Sequence, residues 1–115
     1  MNIALIGYGR MVHEVETVAI SRGHVIKLIV DQQNIDDLNE INLNGTDVVI
    51  EFSSPLAAFD NVVKCLRLKV PVVSGTTGWL NDYKKAVYIC NENKTSFIHS
   101  SNFSIGVNLL FRLNK

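Results

Sequence analysis

The chain opens with Asn2-Ile3-Ala4-Leu5-Ile6-Gly7-Tyr8-Gly9-Arg10-Met11, an apolar run that meets two glycines and passes into a helical pattern. In this order a buried parallel strand leads into a helix whose first turn binds a pyrophosphate. Gly7 permits a sharp turn, and Gly9 leaves out a Cβ where phosphate oxygens approach backbone N–H groups. Val12 stands at the third glycine position of G-x-G-x-x-G, so the pattern is incomplete. A tight strand-to-helix turn without a ligand is the alternative.

The composition predicts a single globular domain. The 115 residues are 47% apolar and carry a formal charge of zero, which argues against disorder and gives no sign of a nucleic-acid or membrane partner. Cys65 and Cys90 have no Cys or His at metal-binding spacing, so we expect reduced, buried thiols in a cytoplasmic protein and no metal site. No apolar run is long enough to cross a membrane, and Met1 leads into a strand instead of a signal peptide.

Strands and helices alternate along the chain. Apolar runs predict strands at 2–6, 25–30, 47–52, 70–74 and 95–99. Helical patterns cover 10–22, about 79–91 and 105–115, and a further helix begins at Ser54-Pro55, with an apolar stripe of Leu56, Phe59, Val62, Val63 and Leu66. This alternation predicts an α/β fold, a Rossmann-like doubly wound parallel sheet of about five strands with flanking helices.

Polar loops follow the predicted strands at their carboxyl ends, at 7–10, 52–55, 75–78 and 100–104. Parallel strands bring these loops to one edge of the sheet, where such folds bind ligands. Loops are commonly polar because they lie on the surface, which is the alternative explanation. The connections expected at the opposite edge look like ordinary turns and helix ends, which favours a ligand site.

Asp31 ends the second predicted strand, about 20 residues beyond the second glycine. A carboxylate there accepts hydrogen bonds from the adenosine ribose hydroxyls and repels a 2′-phosphate. Gln32 and Gln33 follow it instead of a basic residue, which favours NADH over NADPH, although Arg10 could reach a 2′-phosphate. An exposed turn aspartate without a ligand is the alternative.

Gly75-Thr76-Thr77-Gly78 lacks the lysine and spacing of a P-loop. Two glycines around two hydroxyls suit a carboxamide or carboxylate held against the main chain. His99 ends the next strand, and without an identifiable acid, thiol or hydroxyl partner it is interpreted as structural.

Three stretches together resemble the dihydrodipicolinate reductase family, in the family's order: Gly7-Tyr8-Gly9-Arg10-Met11, Gly75-Thr76-Thr77-Gly78-Trp79 and Ser101-Asn102-Phe103-Ser104-Ile105-Gly106-Val107-Asn108. Glu51-Phe52-Ser53-Ser54-Pro55 is similar to a further family segment. The resemblance implies a reductase of the diaminopimelate route to lysine, which passes hydride from NADH or NADPH to a cyclic dicarboxylate. Val12 departs from the family's glycine, so the first helix is expected to stand off its strand and to weaken cofactor binding.

The resemblance also implies which residues contact the cofactor. The phosphate loop would consist of Gly7, Tyr8, Gly9, Arg10 and Met11, and Asp31 would hold the ribose. The nicotinamide would lie against the main chain of Gly75, Thr76 and Thr77, with Thr77 also near a substrate carboxylate. The nicotinamide end would be lined by Ser100, Ser101, Asn102 and Phe103.

The family's catalytic motifs, His-His-x-x-Lys and Ser-Gly-Thr, belong to a second domain that is absent from residues 1–115. We therefore expect an amino-terminal NAD(P)-binding domain without catalytic residues of its own, inactive alone, from an enzyme that is a homotetramer when intact. Two alternatives stay open. One is the nucleotide domain of another amino-acid-pathway dehydrogenase, and the other is a stand-alone NAD-binding module without catalysis.

Overall fold

The structure is a computed structural model that describes residues 1–7 and 9–100. Its strands are β1 (Asn2–Ile6), β2 (Val25–Val30), β3 (Val48–Glu51), β4 (Val72–Ser74) and β5 (Phe97–His99). Its α-helices are α1 (Arg10–Ser21), α2 (Glu40–Leu43), α3 (Pro55–Arg67) and α4 (Tyr83–Glu92). Short 3₁₀ helices, Gln32–Asp37 and Leu80–Asp82, precede α2 and α4. The predicted helix at 105–115 lies outside the described residues.

The five strands form one sheet in the order β2-β1-β3-β4-β5, and every neighbouring pair is parallel. The predicted α/β fold with a parallel sheet is thereby confirmed. The chain moves to one side of β1 to build β2 and to the other side to build β3. Strand order reverses at this point, and ligand clefts in such sheets open at the carboxyl ends of the strands there.

Successive strand residues face opposite sides of the sheet, and each side has its own core. Ile3 and Leu5 pack with Val12 and Val15 of α1 on one side. The other side packs β1, β3 and β4 against α3 and α4, through residues such as Ala4, Ile6, Val62, Leu66 and Ala86. Each large apolar side chain buried in this way stabilises the fold by roughly 1.5–3 kcal/mol. Both faces of the sheet are covered, so these strands are almost continuously apolar in sequence.

The buried face of α3 differs from the predicted stripe. Leu56 is 95% exposed, so its assignment to the core was wrong. The buried face also contains Ala58, Asn61 and Cys65. At about 100° per residue, these positions turn the buried face away from Leu56. The orientation of α3 thus depends on small and polar residues, which a stripe of large apolar residues does not include.

The predicted helix at about 79–91 begins later than expected. Leu80 lies in the second 3₁₀ helix and is 70% exposed, whereas α4 begins at Tyr83. Trp79, immediately before this turn, is buried and donates from Nε1 to the Thr76 carbonyl at 2.8 Å. The indole therefore ties the start of this segment to the loop after β4, and the regular helix starts only beyond it.

Candidate functional site

An open cleft of about 630 Å³ lies at the carboxyl ends of β1, β2 and β3, where the strand order reverses. Its lining comes from the three loops that follow these strands and from the first two turns of α3. Asp31 and Thr76 follow different strands but share this edge of the sheet, since all strands run parallel. The predicted convergence on one edge is therefore present for the loops that begin after β1, β3 and β4, whereas residues 101–104 of the fourth predicted loop lie outside the described residues.

Main-chain hydrogen bonds fix where each loop starts. The Gly7 N–H donates to the Val30 carbonyl at 2.7 Å, and the Phe52 N–H donates to the Ile6 carbonyl at 2.9 Å. The Gly75 N–H donates to the Glu51 carbonyl at 2.8 Å, and the Ser100 N–H to the Ser74 carbonyl at 3.1 Å. Each bond extends the strand pairing by one residue, so the loops leave the sheet from defined positions.

Gly7 and Gly9 both line the cleft, but their surroundings differ. Gly7 has φ +91°, and a Cβ added there would lie 2.0 Å from the Phe52 carbonyl oxygen. Gly9 has φ −107° as the N-cap of α1, and a Cβ added there would meet no atom within 4 Å. The fold therefore requires a glycine at position 7, whereas at position 9 the bare Cα leaves space open to the cleft.

The other residues of the predicted phosphate loop have different roles in the fold. Arg10 is at the start of α1, its side chain is 94% exposed, and its Nε lies 3.8 Å from Glu14 Oε1. Met11 packs against the α1-side core, and Val12 is fully buried within it. The core thus accommodates the branched Val12 side chain where the family pattern has glycine. Tyr8 lies outside the described residues.

Asp31 lines the cleft and begins the first 3₁₀ helix. Its Oδ1 accepts from the Gln33 N–H at 2.8 Å, and its own N–H donates to Asn34 Oδ1 at 2.7 Å. These reciprocal bonds fix the side chain in a capping box. Among the described residues Oδ2 accepts no hydrogen bond, so a second acceptor remains for a ligand.

Glu51, the last residue of β3, is the centre of a second polar cluster that single-residue patterns did not indicate. Its side chain is fully buried. Oε1 accepts from Ser74 Oγ at 2.5 Å, and Oε2 accepts from Thr76 Oγ1 at 2.6 Å and from the Ser53 N–H at 2.9 Å. The Ser53 hydroxyl also donates to Oε2. The available signal was an acidic residue ending a buried apolar strand, since such a group needs nearby donors.

The loop after β4 is held by its main chain as well. The Thr76 carbonyl accepts from Trp79 Nε1 at 2.8 Å and lies 2.8 Å from His99 Nε2. A carbonyl only accepts, so this contact places a proton on Nε2 of His99. His99 thus contacts the main chain of this loop, and its interpretation as structural stays a prediction.

The two threonines of this loop point in different directions. The Thr76 hydroxyl is directed into the Glu51 cluster, and the residue is only 3% exposed. Thr77 is exposed at the rim, next to the exposed Gly78. Gly75 and Thr76 are both buried, and the Gly75 N–H and the Thr76 carbonyl are already hydrogen-bonded within the protein, so the exposed side chain that this loop offers a ligand is Thr77. Ser101, Asn102 and Phe103 lie outside the described residues, and Ser100 is half-buried beyond β5.

The described residues include no group of His, Cys, Asp and Glu arranged to hold a metal ion. None of the helices in residues 1–7 and 9–100 combines the length and apolar character needed to cross a bilayer. The polar groups at this edge of the sheet include main-chain N–H groups, the Asp31 carboxylate and exposed hydroxyls. These groups bind and orient a ligand.

The doubly wound parallel sheet, with its cleft at the reversal of strand order, defines a Rossmann-like domain of the kind that binds nucleotides. Comparison with known proteins specifies the family. The family model described as "Dihydrodipicolinate reductase, N-terminus" matches residues 1–103. The chain belongs to this family.

Two curated relatives with similar sequences share one name. A 4-hydroxy-tetrahydrodipicolinate reductase of Christiangramia forsetii is 51% identical over 117 residues, a match that covers 100% of this chain and 47% of the relative. A reductase of the same name from Neisseria meningitidis serogroup B is 32% identical, over 85% of this chain and 36% of the relative. The chain thus spans about half or less of the length of these curated relatives.

Two solved structures with a similar fold are homoserine dehydrogenases. S. aureus homoserine dehydrogenase aligns with a TM-score of 0.75 at 20% identity, covering 89% of this chain and 32% of the other. A hyperthermophilic archaeal homoserine dehydrogenase in complex with NADPH aligns with a TM-score of 0.62 at 11% identity, covering 87% and 43%. At these identities the likeness establishes the fold alone.

Proposed function

We propose that this chain is the nucleotide-binding part of a 4-hydroxy-tetrahydrodipicolinate reductase, and that it binds NADH or NADPH across the carboxyl ends of its strands. The observation that carries the proposal is the pair formed by Gly9 and Asp31 in one cleft. Gly9 leaves open space at the start of α1, where N–H groups attract phosphate, and Asp31 offers a free carboxylate oxygen.

The cofactor would span two parts of this edge. Its pyrophosphate would lie against the start of α1, with Gly7, Tyr8, Gly9, Arg10 and Met11 forming the loop. Its adenosine ribose would bind Asp31. The nicotinamide would reach the main chain of Gly75, Thr76 and Thr77, and the segment from Ser100 to Phe103 would close that end. Exposed Thr77 would be near a substrate carboxylate.

NADH is favoured over NADPH by the charges around the ribose position. Asp31 lines the cleft together with Gln32, Gln33 and Asp60, so the lining that the described residues provide has two carboxylates and no cation. A 2′-phosphate would be repelled there. Arg10 does not line the cleft, and its nearest acidic neighbour is Glu14.

In the intact enzyme the bound nucleotide supplies a hydride, and residues of this chain fix its orientation toward a cyclic dicarboxylate. No acid–base pair lies in the cleft among the described residues, so the proton would come from the rest of the protein. We propose a homotetrameric, cytoplasmic enzyme of lysine biosynthesis. The free, buried thiols of Cys65 and Cys90 fit a reducing compartment.

The test is a titration of the 115-residue chain with NADH, NADPH and ADP-ribose, followed by calorimetry and nicotinamide fluorescence. We expect NADH to bind more tightly than NADPH. Asp31→Asn keeps an oxygen for the Gln33 N–H but removes the charge. The ratio of the Kd for NADPH to the Kd for NADH should therefore fall by about tenfold or more. Asp36→Ala, an exposed residue of the same 3₁₀ helix, is the matched control. Absence of binding by the unaltered chain would contradict the proposal.

A further inference from the structure

The Glu51 cluster joins two loops that are far apart in sequence. Ser53 lies in the loop after β3, and Ser74 and Thr76 are 23 and 25 positions beyond Glu51 in the chain. All donate to the same carboxylate, and the Ser53 N–H also donates to Thr76 Oγ1 at 2.9 Å. Asn61 of α3 contacts Ser53 Oγ at 3.5 Å. The carboxylate thus holds the β3 and β4 loops at a fixed separation.

No cation pairs with Glu51 among residues 1–7 and 9–100, where the ion pairs found involve only other residues. Within these residues, the buried carboxylate is stabilised by hydrogen-bond donors alone. Hydrogen bonds to a carboxylate are among the stronger ones in proteins, and a buried donor left without its acceptor is costly. The two loops are therefore joined by strong, directional contacts.

Thr76 is consequently fixed on several sides. Its hydroxyl donates to Glu51 and accepts from Ser53, while its carbonyl receives Trp79 and His99. The bonds to the carbonyl hold the peptide plane that follows Thr76, and the bonds to the hydroxyl hold its side chain. The Gly75 N–H is already donated to the Glu51 carbonyl, and the Thr76 and Thr77 N–H groups are then pre-oriented before a ligand arrives, which reduces the entropic cost of binding.

We infer that Glu51 is a positioning residue for the nicotinamide: its carboxylate sets the Gly75-Thr76-Thr77 main chain in the orientation that receives the carboxamide. The inference rests on the proposed function. It assigns to Glu51 no contact with the cofactor and no effect on the adenosine half, which Gly9 and Asp31 would bind separately.

A merely structural Glu51 would behave differently. Its loss would lower the stability of the whole domain, and it would weaken every ligand alike or none. A positioning role predicts a selective loss, because ADP-ribose keeps the adenosine half and lacks only the nicotinamide ring. The ratio of the Kd values for NADH and ADP-ribose therefore separates the two roles.

The experiment measures both Kd values by calorimetry for the 115-residue chain and its variants, well below each melting temperature. We expect the unaltered chain to bind NADH more tightly than ADP-ribose. Glu51→Gln should weaken NADH about tenfold while changing ADP-ribose less than about threefold, since the amide loses one strong charged acceptor. Ser74→Ala removes a single donor and should shift the ratio in the same direction by about threefold, which keeps the test available if Glu51→Gln does not fold.

Val48→Ala is the matched control, because it truncates a buried residue at the opposite end of the same strand. It should lower the melting temperature and leave the ratio unchanged. The inference is overturned if Glu51→Gln or Ser74→Ala leaves the ratio at the unaltered value, or if the unaltered chain binds ADP-ribose as tightly as NADH. Binding of neither ligand by the unaltered chain would instead refute the proposed function.

Discussion

Gly7 and Gly9 flank a single residue, yet they are glycines for different reasons. Gly7 has a positive φ, and a carbonyl oxygen occupies the space that a Cβ would take. The fold itself therefore requires a glycine at this position. Gly9 has an ordinary φ and empty space where a Cβ would lie, and the proposed function assigns this space to a ligand. The G-x-G pattern predicts both glycines, but the coordinates distinguish their roles.

Alanine at these two positions should give opposite results. Gly7→Ala should destabilise the fold by more than about 3 kcal/mol, because the Cβ meets backbone that cannot move away. Gly9→Ala should change the free energy of unfolding by no more than about 1 kcal/mol and abolish measurable nucleotide binding. Urea unfolding and ADP-ribose titration measure the two quantities. Tight binding by Gly9→Ala would contradict the proposed phosphate position.

The Cys65 thiol gives a prediction about pH. Burial, and next the charge of Glu51, raise the pKa of Cys65 to about 12 from an ordinary value of 9.0. The folded state therefore favours the protonated thiol. This contribution to stability is complete below about pH 9 and is lost as the pH rises toward 12, because the unfolded chain releases its proton first.

At pH 8 the same shift should protect the thiol from reaction. Because the thiolate is the reactive form, modification of Cys65 by a disulfide reagent should be on the order of a thousandfold slower in the folded chain than in urea. Mass spectrometry of the labelled peptides distinguishes Cys65 from Cys90, whose pKa burial also raises. Rapid labelling of folded Cys65 would show that the thiol is accessible.

At the scale of elements, α3 shows how small residues orient a helix. Leu56 and Leu66 both fit an apolar stripe by spacing, but the first is 95% exposed and the second fully buried. Ala58 and Cys65 are buried between them and allow α3 to approach the sheet. The helix begins where Ser54 and Pro55 predict, with Ser54 Oγ accepting from the Ala57 N–H at 3.3 Å.

The two leucines of α3 form a matched pair for mutation. Leu66→Ala should lower the free energy of unfolding by about 2–5 kcal/mol, because it leaves a cavity between α3 and the sheet. Leu56→Ala should change it by no more than about 0.5 kcal/mol. Chemical denaturation of both variants gives the comparison. Equal losses would mean that the helix is rotated relative to this structure.

At the scale of the whole molecule, the sheet predicts a gradient of stability. β1 and β3 lie inside it and are almost completely buried, whereas every residue of β5 is half-buried. Amide hydrogen exchange should therefore be slowest at residues 3–6 and 48–50 and faster in β2 and β5. Mass spectrometry of overlapping peptides resolves these segments. Slowest exchange in β5 would contradict this order.

Much of the architecture was predictable because it is local. Apolar runs of strand length, the helix start at Ser54-Pro55 and the G-x-G turn each depend on neighbouring residues. The alternation of strands and helices then permits few arrangements other than a parallel sheet. Less predictable were the start of α4 and the buried face of α3, where tertiary contacts of Trp79, Ala58 and Cys65 decide the outcome.

The sequence by itself thus determined the strands, their parallel arrangement and the edge of the sheet that the loops of Gly9, Asp31 and Thr76 share. Only the tertiary structure decided that the space around a Cβ is empty at Gly9 and occupied at Gly7. It also decided that Val12 fits within the core and that the Thr76 hydroxyl faces inward. The reason is physical: these outcomes depend on atoms from segments distant in the chain. Glu51, whose donors come from two different loops, is the clearest case.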